Sequence, residues 1–124
     1  MAIDSASDIV QRQLEAYNAR DLERFVATYA DTIRIFRMPA TEPSISGKVQ
    51  LAEAYRQRFS APSLHAEILT RVVLGNKVID HERVRGIREH PVEAVAIYEV
   101  ASDLIQTVWF FYPDQPFPAS SSQA

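Results

Sequence analysis

The sequence contains no cysteine and only three glycines among its 124 residues. The absence of cysteine excludes thiol nucleophiles, disulfide bonds, and zinc or iron–sulfur sites held by thiolates. The glycines, Gly47, Gly75 and Gly86, are scattered along the chain. Because phosphate-binding loops and dinucleotide-binding turns need closely spaced glycines, both kinds of site are excluded.

Blocks of basic residues and long apolar segments are also missing. Lysine and arginine number 13 against 16 acidic residues, which gives a net charge of −3 and argues against a nucleic-acid partner. The longest strongly apolar run, residues 108–112, is far shorter than the ~18 residues that a membrane-spanning helix needs. The first eight residues include two acids and no basic residue, unlike a signal peptide, so we expect a cytoplasmic protein that does not enter a membrane.

The length and the order of local patterns predict one domain, residues 1–113, followed by a flexible tail, residues 114–124, that is rich in proline and serine. Apolar residues recur at helical spacing in residues 9–17, 22–29 and 48–59. Ser5 with Asp8 resembles a capping box, and Asp21 is a suitable N-cap for the second helix. These patterns predict three helices in the first half of the chain.

The remaining segments predict strands. Residues 32–38, 64–74, 77–87, 92–100 and 104–112 alternate or are rich in β-branched and aromatic residues, and Gly75-Asn76 suits a two-residue hairpin turn. Residues 39–46 contain two prolines and are expected to form a loop. Helices followed by hairpin-linked strands indicate an α+β fold, with a curved antiparallel sheet whose concave face is covered by about three N-terminal helices.

Several strings resemble the nuclear transport factor 2-like superfamily. These are Tyr17-Asn-Ala-Arg-Asp21 with Tyr29-Ala-Asp31, the segment from Gly47 to Gln57, and Asp103-Leu-Ile-Gln-Thr-Val-Trp109. The resemblance covers residues 8–113 and is strongest to its SnoaL-like and ketosteroid isomerase-like members. It implies a cone-shaped fold with a deep apolar pocket for a small apolar molecule.

The resemblance also implies that ketosteroid isomerase activity is lost. Those enzymes use an aspartate base together with a tyrosine and a protonated aspartate that donate to the substrate oxygen. The matching positions of this chain carry Arg37, Gln13 and Ala96, so none of the three catalytic residues is retained. A guanidinium cannot abstract a proton at neutral pH, and alanine donates no hydrogen bond.

The two-residue period of strands predicts which side chains face the pocket. In residues 77–87, Glu82 shares a face with Asp80, and the opposite face carries His81, Arg83 and Arg85. We expect the basic face to point outward, because Arg83 and Arg85 can then pair with Glu93 and Glu99. With the faces reversed, the three basic residues would enter the pocket instead.

Asp80, Glu82 and Arg37 are therefore the candidate catalytic residues. Two carboxylates in unlike surroundings can divide acid and base roles, and a guanidinium can stabilise developing negative charge. The alternatives are that Arg37 only neutralises a buried carboxylate in a structural ion pair, or that the pocket binds a ligand without turnover. Any chemistry would need no cofactor. No metal is expected, because the zinc motif that His81-Glu82 begins lacks its second histidine at Arg85.

The side chains expected to contact a substrate come from several elements. They are Gln13, Tyr17, Tyr55, Ala96, Tyr98, Phe110 and Tyr112.

The outer face of the sheet is predicted to be apolar. Val95 and Ile97 on one strand lie beside Trp109 and Phe111 on the next. An exposed apolar patch of this kind indicates an interaction surface, and we expect a homodimer through it, with Arg83, Arg85, Glu93 and Glu99 as a polar rim. A third alternative is that this dimerisation surface is the functional part of the protein.

Overall fold

A computed structural model describes residues 5–113, which form three helices and six strands. In chain order they are α1 (Ala6–Asn18), α2 (Leu22–Val26), β1 (Tyr29–Arg37), β2 (Ile45–Ser46), α3 (Lys48–Arg58), β3 (His65–Leu74), β4 (Lys77–Arg85), β5 (Val92–Ala101) and β6 (Leu104–Phe111). The predicted tail, residues 114–124, lies outside the described residues.

The starts of α1 and α2 follow from their capping residues. The Ser5 hydroxyl accepts from the Asp8 backbone N–H, and the Asp8 carboxylate accepts from the Ser5 backbone N–H, which confirms the predicted capping box. The Asp21 side chain caps α2 by accepting from the Arg24 backbone N–H. Both caps satisfy backbone donors that a helix start otherwise leaves without partners.

The strands form one curved sheet in the order β2-β1-β6-β5-β4-β3, and the sheet does not close on itself. This confirms the α+β class. Neighbouring strands are antiparallel except for β1 and β6, which are parallel. The parallel pair departs from the predicted antiparallel sheet, and several bounds differ from the sequence prediction, including the end of α2 at Val26 rather than at residue 29. The first strand begins at Tyr29 rather than at residue 32, and the predicted loop of residues 39–46 ends in the short strand β2, which pairs with β1.

Tight turns fix the register of the hairpins. Gly75 has a φ of 59° between Leu74 and Lys77, which pair directly, as predicted. Ser102 and Asp103, with φ of 54° and 62°, close the turn between β5 and β6. Positive φ at these positions matches the right-handed twist of the strands that the turns connect.

The register of β4 and β5 decides the surface ion pairs. Arg83 lies opposite Glu93, as predicted, and their side chains are 3.7 Å apart. The predicted pairing of Arg85 with Glu99 is wrong. Lys77 is the residue opposite Glu99, with an N–O distance of 3.4 Å, because β5 runs antiparallel to β4 and places Glu99 at the other end of the strand.

The helices pack on the inner face of the sheet. α1 lies against β3, β4 and β5, and α3 lies against β1 and β2. The core between these layers is apolar and includes Ile9, Val10, Phe25, Ile33, Leu51, Val78, Ile105 and Val108. Among residues 5–113, no helix is long and apolar enough to cross a membrane.

Candidate functional site

An open cavity of about 1010 Å³ lies between the inner face of the sheet and the helices. Apolar side chains such as Ile35, Ile68 and Val84 form part of its wall. Its polar lining includes Gln13, Tyr17, Tyr29, Arg37, Tyr55, Arg58, Asp80, Glu82, Tyr98 and Tyr112, and also the exposed residues Ser44, Arg88, Glu89, His90 and Glu93. A mixed lining of this kind is typical of a small-molecule site, in which a few polar groups orient a largely apolar ligand.

Both carboxylates of β4 face this cavity. Asp80 lies opposite Ala96 on β5, and Glu82 lies opposite Ala94. All four residues share the inner face, since directly opposed residues of paired strands point to the same side. Because Ala94 is small and lines the cavity, the sheet leaves open space beside Glu82, whereas Asp80 and Ala96 are both fully buried.

Asp80 forms an ion pair that the sequence did not predict. Its side chain is only 1% exposed, and its two oxygens accept from Nε and Nη2 of Arg71 at 2.7 and 2.9 Å. Arg71 also donates through Nη1 to the Gln11 side chain on α1 at 2.9 Å. This pairing compensates the buried charge of Asp80 and links the sheet to α1.

A β-bulge in β3 is the reason that Arg71 reaches Asp80. Ile68 pairs with Glu82 and Thr70 pairs with His81, so Leu69 is an extra residue without a partner on β4. The extra residue reverses the alternation of side chains beyond it. Arg71 therefore faces inward, although unbroken alternation from Ile68 would place it outside.

Glu82 has very different surroundings from Asp80. It is half-buried in the cavity, and no side chain of residues 5–113 donates a hydrogen bond to it. Burial, and then the negative charge of Asp80, raise the pKa of Glu82 from 4.5 to about 7, while the more distant Arg58 opposes this effect. A carboxyl group with this pKa is populated in both protonation states near neutral pH.

Arg58 lies at the end of α3 and brings a second cation to the cavity. Its Nη1 donates to the Tyr17 hydroxyl at 3.2 Å, and its Cζ lies 5.6 Å from the centre of the Tyr55 ring. No carboxylate of residues 5–113 forms an ion pair with it. Arg58 follows Tyr55 by three residues, so helical spacing places both on one face.

Two buried tyrosine hydroxyls of the cavity lie within the electrostatic influence of Glu82. Tyr98 is 4% exposed and Tyr29 is 2% exposed, and both line the cavity. Burial raises the pKa of both hydroxyls well above the usual value, and the charge of Glu82 raises each further. They therefore keep their protons at neutral pH and can act as hydrogen-bond donors.

The alternative in which Arg37 neutralises a buried carboxylate in an ion pair is wrong. Arg37 faces the cavity from the end of β1 but is exposed, and its Cζ lies 4.5 Å from the centre of the Tyr112 ring. Within residues 5–113 it forms no ion pair with Asp80 or Glu82. The reason is positional, because β5 and β6 lie between β1 and β4 in the sheet.

Most of the predicted substrate-contacting side chains line the cavity. These are Gln13, Tyr17, Tyr55, Tyr98, Phe110 and Tyr112. Ala96 lies on the same face but is fully buried and is not part of the lining. Three residues of the site were not predicted, namely Tyr29, Arg58 and Arg71. Spacing from Tyr55 could have indicated Arg58, whereas nothing in the sequence marks the bulge that turns Arg71 inward.

The outer face of the sheet carries the predicted apolar residues. Ile97 lies opposite Trp109, and Val95 lies opposite Phe111, which is 43% exposed. The other three are half-buried. The surface continues onto Phe36, which pairs with Trp109 on its other side.

Within the described part of the chain, no cluster of three or more histidine, cysteine, aspartate or glutamate side chains could hold a metal ion. His81 lies on the outer face, where its Nε2 is 2.9 Å from Oε1 of Glu93.

Solved structures share this fold at low sequence identity. An uncharacterized cystatin-fold protein from Novosphingobium aromaticivorans superimposes with a TM-score of 0.80 and 23% identity over 87% of this chain and 98% of its own. A SnoaL-like protein of unknown function from Burkholderia thailandensis gives a TM-score of 0.70 and 24% identity over 86% of this chain and 92% of its own. An LEH-like epoxide hydrolase from M. tuberculosis gives a TM-score of 0.74 and 16% identity, covering 86% of this chain and 81% of its own.

No curated protein matches the chain in sequence. The model of the SnoaL-like domain family, however, matches residues 10–108, which include all three helices in whole or in part and nearly all of the sheet. The chain therefore belongs to the SnoaL-like domain family.

Proposed function

We propose that this protein is a cofactor-free acid–base catalyst, with Glu82 as the group that moves the proton. Its substrate is a small, largely apolar molecule that carries a carbonyl group or an epoxide. The observation that carries the proposal is the contrast between the two carboxylates of β4. Arg71 holds Asp80 in an ion pair, whereas Glu82 faces the cavity with a pKa of about 7. A carboxyl group that gains and loses a proton near neutral pH is suited to general acid–base catalysis.

Two buried groups can orient the reacting oxygen of the substrate. Gln13 is 6% exposed and Tyr98 is 4% exposed, both line the cavity, and neither side chain has a hydrogen-bond partner within residues 5–113. The amide N–H of Gln13 and the hydroxyl of Tyr98 can donate to an oxygen on which negative charge develops. Arg37 and Tyr112, at the cavity mouth, contact the outer part of the substrate.

The proton transfers follow from these positions. With a carbonyl substrate, ionised Glu82 removes a proton from the carbon next to the carbonyl, and the electron pair moves onto the oxygen to give an enolate. Protonated Glu82 then returns the proton to another carbon, which completes an isomerisation, or to a departing hydroxyl group, which completes a dehydration. With an epoxide, protonated Glu82 gives its proton to the ring oxygen while a water molecule attacks the carbon and the C–O bond breaks. The attacking water then releases one proton to solvent, which leaves a diol, and Glu82 takes up a proton from solvent. The fold shared with an epoxide hydrolase supports the last possibility.

Proton exchange tests the proposal without knowledge of the natural substrate. A panel of small apolar ketones is incubated with the protein in deuterium oxide, and loss of the proton next to the carbonyl is followed by NMR. We expect catalysed exchange for the native protein and its loss in Glu82→Gln, with ligand affinity kept within about tenfold. Glu53→Gln, an exposed change on α3, is the matched control. Exchange that continues in Glu82→Gln contradicts the proposal, and binding of the ketones by the native protein without any exchange favours a ligand-binding role without turnover.

A second function is supported by the outer face of the sheet. We propose that a second copy of the chain packs on Val95, Ile97, Trp109 and Phe111, because these residues are cross-strand neighbours and form a continuous apolar surface. The contacts of Glu93 with the side chains of His81 and Arg83 form part of a polar border for this surface. In this alternative the protein acts as a dimerisation module.

A further inference from the structure

Arg58 is a charged centre in the cavity that the proposed proton transfer does not use. It belongs to the last turn of α3, is half-buried, and lines the cavity. Of its five N–H donors, the structure pairs one with the Tyr17 hydroxyl at 3.2 Å. The Cζ atom of Arg58 lies 5.6 Å from the centre of the Tyr55 ring, and this cation–π contact stabilises the guanidinium without neutralising its charge.

The other guanidinium groups near the cavity are in different situations. The charge of Arg71 is matched by Asp80 through two hydrogen bonds. Arg37 is exposed and stacks on Tyr112, and Arg88, between β4 and β5, is exposed as well. Arg58 alone of the four is half-buried and has no carboxylate partner within residues 5–113.

None of the groups that face Arg58 acts as a paired negative charge. Three of these groups are the hydroxyls of Tyr17, Tyr55 and Tyr112. Burial raises the pKa of each hydroxyl, so all three remain neutral. Glu82 attracts Arg58 only across the cavity, because the two form no ion pair. A half-buried guanidinium is most stable when a planar anion with two oxygens binds it side by side.

We propose that the ligand of this cavity carries a carboxylate group and that Arg58 binds it. This deepens the proposed function, on which it rests, by naming the charge of the substrate. The site would take an apolar carboxylic acid whose hydrocarbon or aromatic part lies against Ile35, Ile68 and Phe110. The carboxylate at Arg58 would hold the reacting part of the molecule at a fixed distance from Glu82.

The competing explanation is that Arg58 serves only to balance the charge of Glu82. The two explanations differ in a variant that lacks this charge. If Arg58 binds a ligand carboxylate, Glu82→Gln keeps or strengthens the binding of acids, since one repelling negative charge is gone. If Arg58 only balances Glu82, acids are not preferred over neutral molecules in the native protein.

Matched ligands that differ in charge alone provide the test. Binding of naphthylacetate, phenylbutyrate and octanoate is measured by calorimetry at about pH 8, each beside its uncharged amide, which has nearly the same shape. We expect at least one acid to bind about tenfold or more tighter than its amide, as a charge-assisted pair allows. Arg58→Gln should remove the preference while the amide still binds, and Arg58→Lys should keep part of it.

Arg56→Gln is the matched control, because Arg56 lies in the same turn of α3 but is exposed and outside the cavity lining. It should bind acids as the native protein does. Continued binding of the amide by Arg58→Gln shows that this variant is folded.

Three results would overturn the inference. They are equal affinity for acids and amides, a preference that survives Arg58→Gln, and no saturable binding of any acid in the panel. The inference about the carboxylate and the proposed proton transfer are tested by different measurements, so either one can be wrong while the other holds. If the proton-exchange test fails, the preference for acids is unaffected, because it is measured by binding and not by turnover. The same binding comparison can be made in Glu82→Gln, which has no titrating carboxyl group at this position.

Discussion

Arg71 and Asp80 form a two-point ion pair on the inner face of the sheet, with N–O distances of 2.7 and 2.9 Å. The pair leaves Glu82, two residues further along β4, as the carboxyl group without a cation beside it. The division between a charged structural residue and a titrating residue therefore depends on Arg71. Several measurements follow from this arrangement and from the cavity around it.

Removing Arg71 should strongly destabilise the fold. Arg71→Met leaves the carboxylate of Asp80 buried without its partner, and we expect the free energy of unfolding to fall by about 3–5 kcal/mol in urea denaturation near neutral pH. Asp80→Asn combined with Arg71→Met should recover a large part of the loss, because no buried charge then remains. Lys77→Met, which breaks the more exposed pair with Glu99, should cost at most about 1 kcal/mol. Equal effects of the two single changes would contradict a structural role for the Arg71 pair.

The raised pKa of Glu82 predicts a pH-dependent stability. Folding raises this pKa from 4.5 to about 7, so the folded state binds the proton more tightly than the unfolded state. The contribution to stability is complete below about pH 4.5 and is lost as the pH rises through about 7. Glu82→Gln should remove this dependence. The difference in unfolding free energy between the native protein and the variant should change by about 3 kcal/mol between acidic and mildly alkaline pH.

Denaturation curves at a series of pH values measure this change, and Glu53→Gln should show none of it. A constant difference between the native protein and Glu82→Gln across this range would mean that folding does not change the pKa of Glu82, and would remove the basis for its proposed role.

Filling the space beside Glu82 should block the cavity. Ala94 lies opposite Glu82, is buried, and lines the cavity. Ala94→Leu is expected to lower the affinity for any ligand that reaches Glu82 by about tenfold or more, with a change in stability below about 2 kcal/mol, because the new side chain enters open space. Calorimetry and thermal melting give the two quantities, and Ala101→Leu, at the exposed end of β5, is the control. Undiminished affinity would place the ligand elsewhere.

A charge on the outer face should separate the proposed dimer. Trp109→Glu introduces a carboxylate at the centre of the apolar surface, and we expect sedimentation to show a dimer for the native chain and a monomer for the variant. Val49→Glu changes an exposed apolar residue on α3 and should leave the dimer intact. A dimer that persists in Trp109→Glu would show that the chains associate through another surface.

Alternation in three strands was enough to predict much of the site. In β4 and β5 every second residue faces inward, and in β6 the same holds from Val108 onward, beyond the register shift between Ile105 and Thr107. The inward placement of Asp80, Glu82 and Tyr98 therefore follows from the sequence. The fold class followed from the order of helical and alternating patterns. The resemblance indicated the cavity and put Arg37 on its wall.

The cations of the site could not be predicted in the same way. The partner of Asp80 depends on a bulge in β3, and neither glycine nor proline marks that place in the sequence. The separation of Arg37 from the carboxylates depends on the strand order, which puts β5 and β6 between them. Arg58 comes from a helix, and its approach to the cavity is set by how α3 packs on the sheet. Each of these is a long-range property, whereas alternation is a local one.

The unpaired Leu69 has a consequence for comparing relatives of this chain. Deleting this one residue would make the ladder regular and would keep Thr70 opposite His81 and Arg71 opposite Asp80, so the buried ion pair would survive. A relative without the bulge would therefore carry the equivalent arginine one position earlier in its strand. In an alignment, a single-residue gap near position 69 is needed to match the two arginines, and without it a retained ion pair looks like a substitution at position 71.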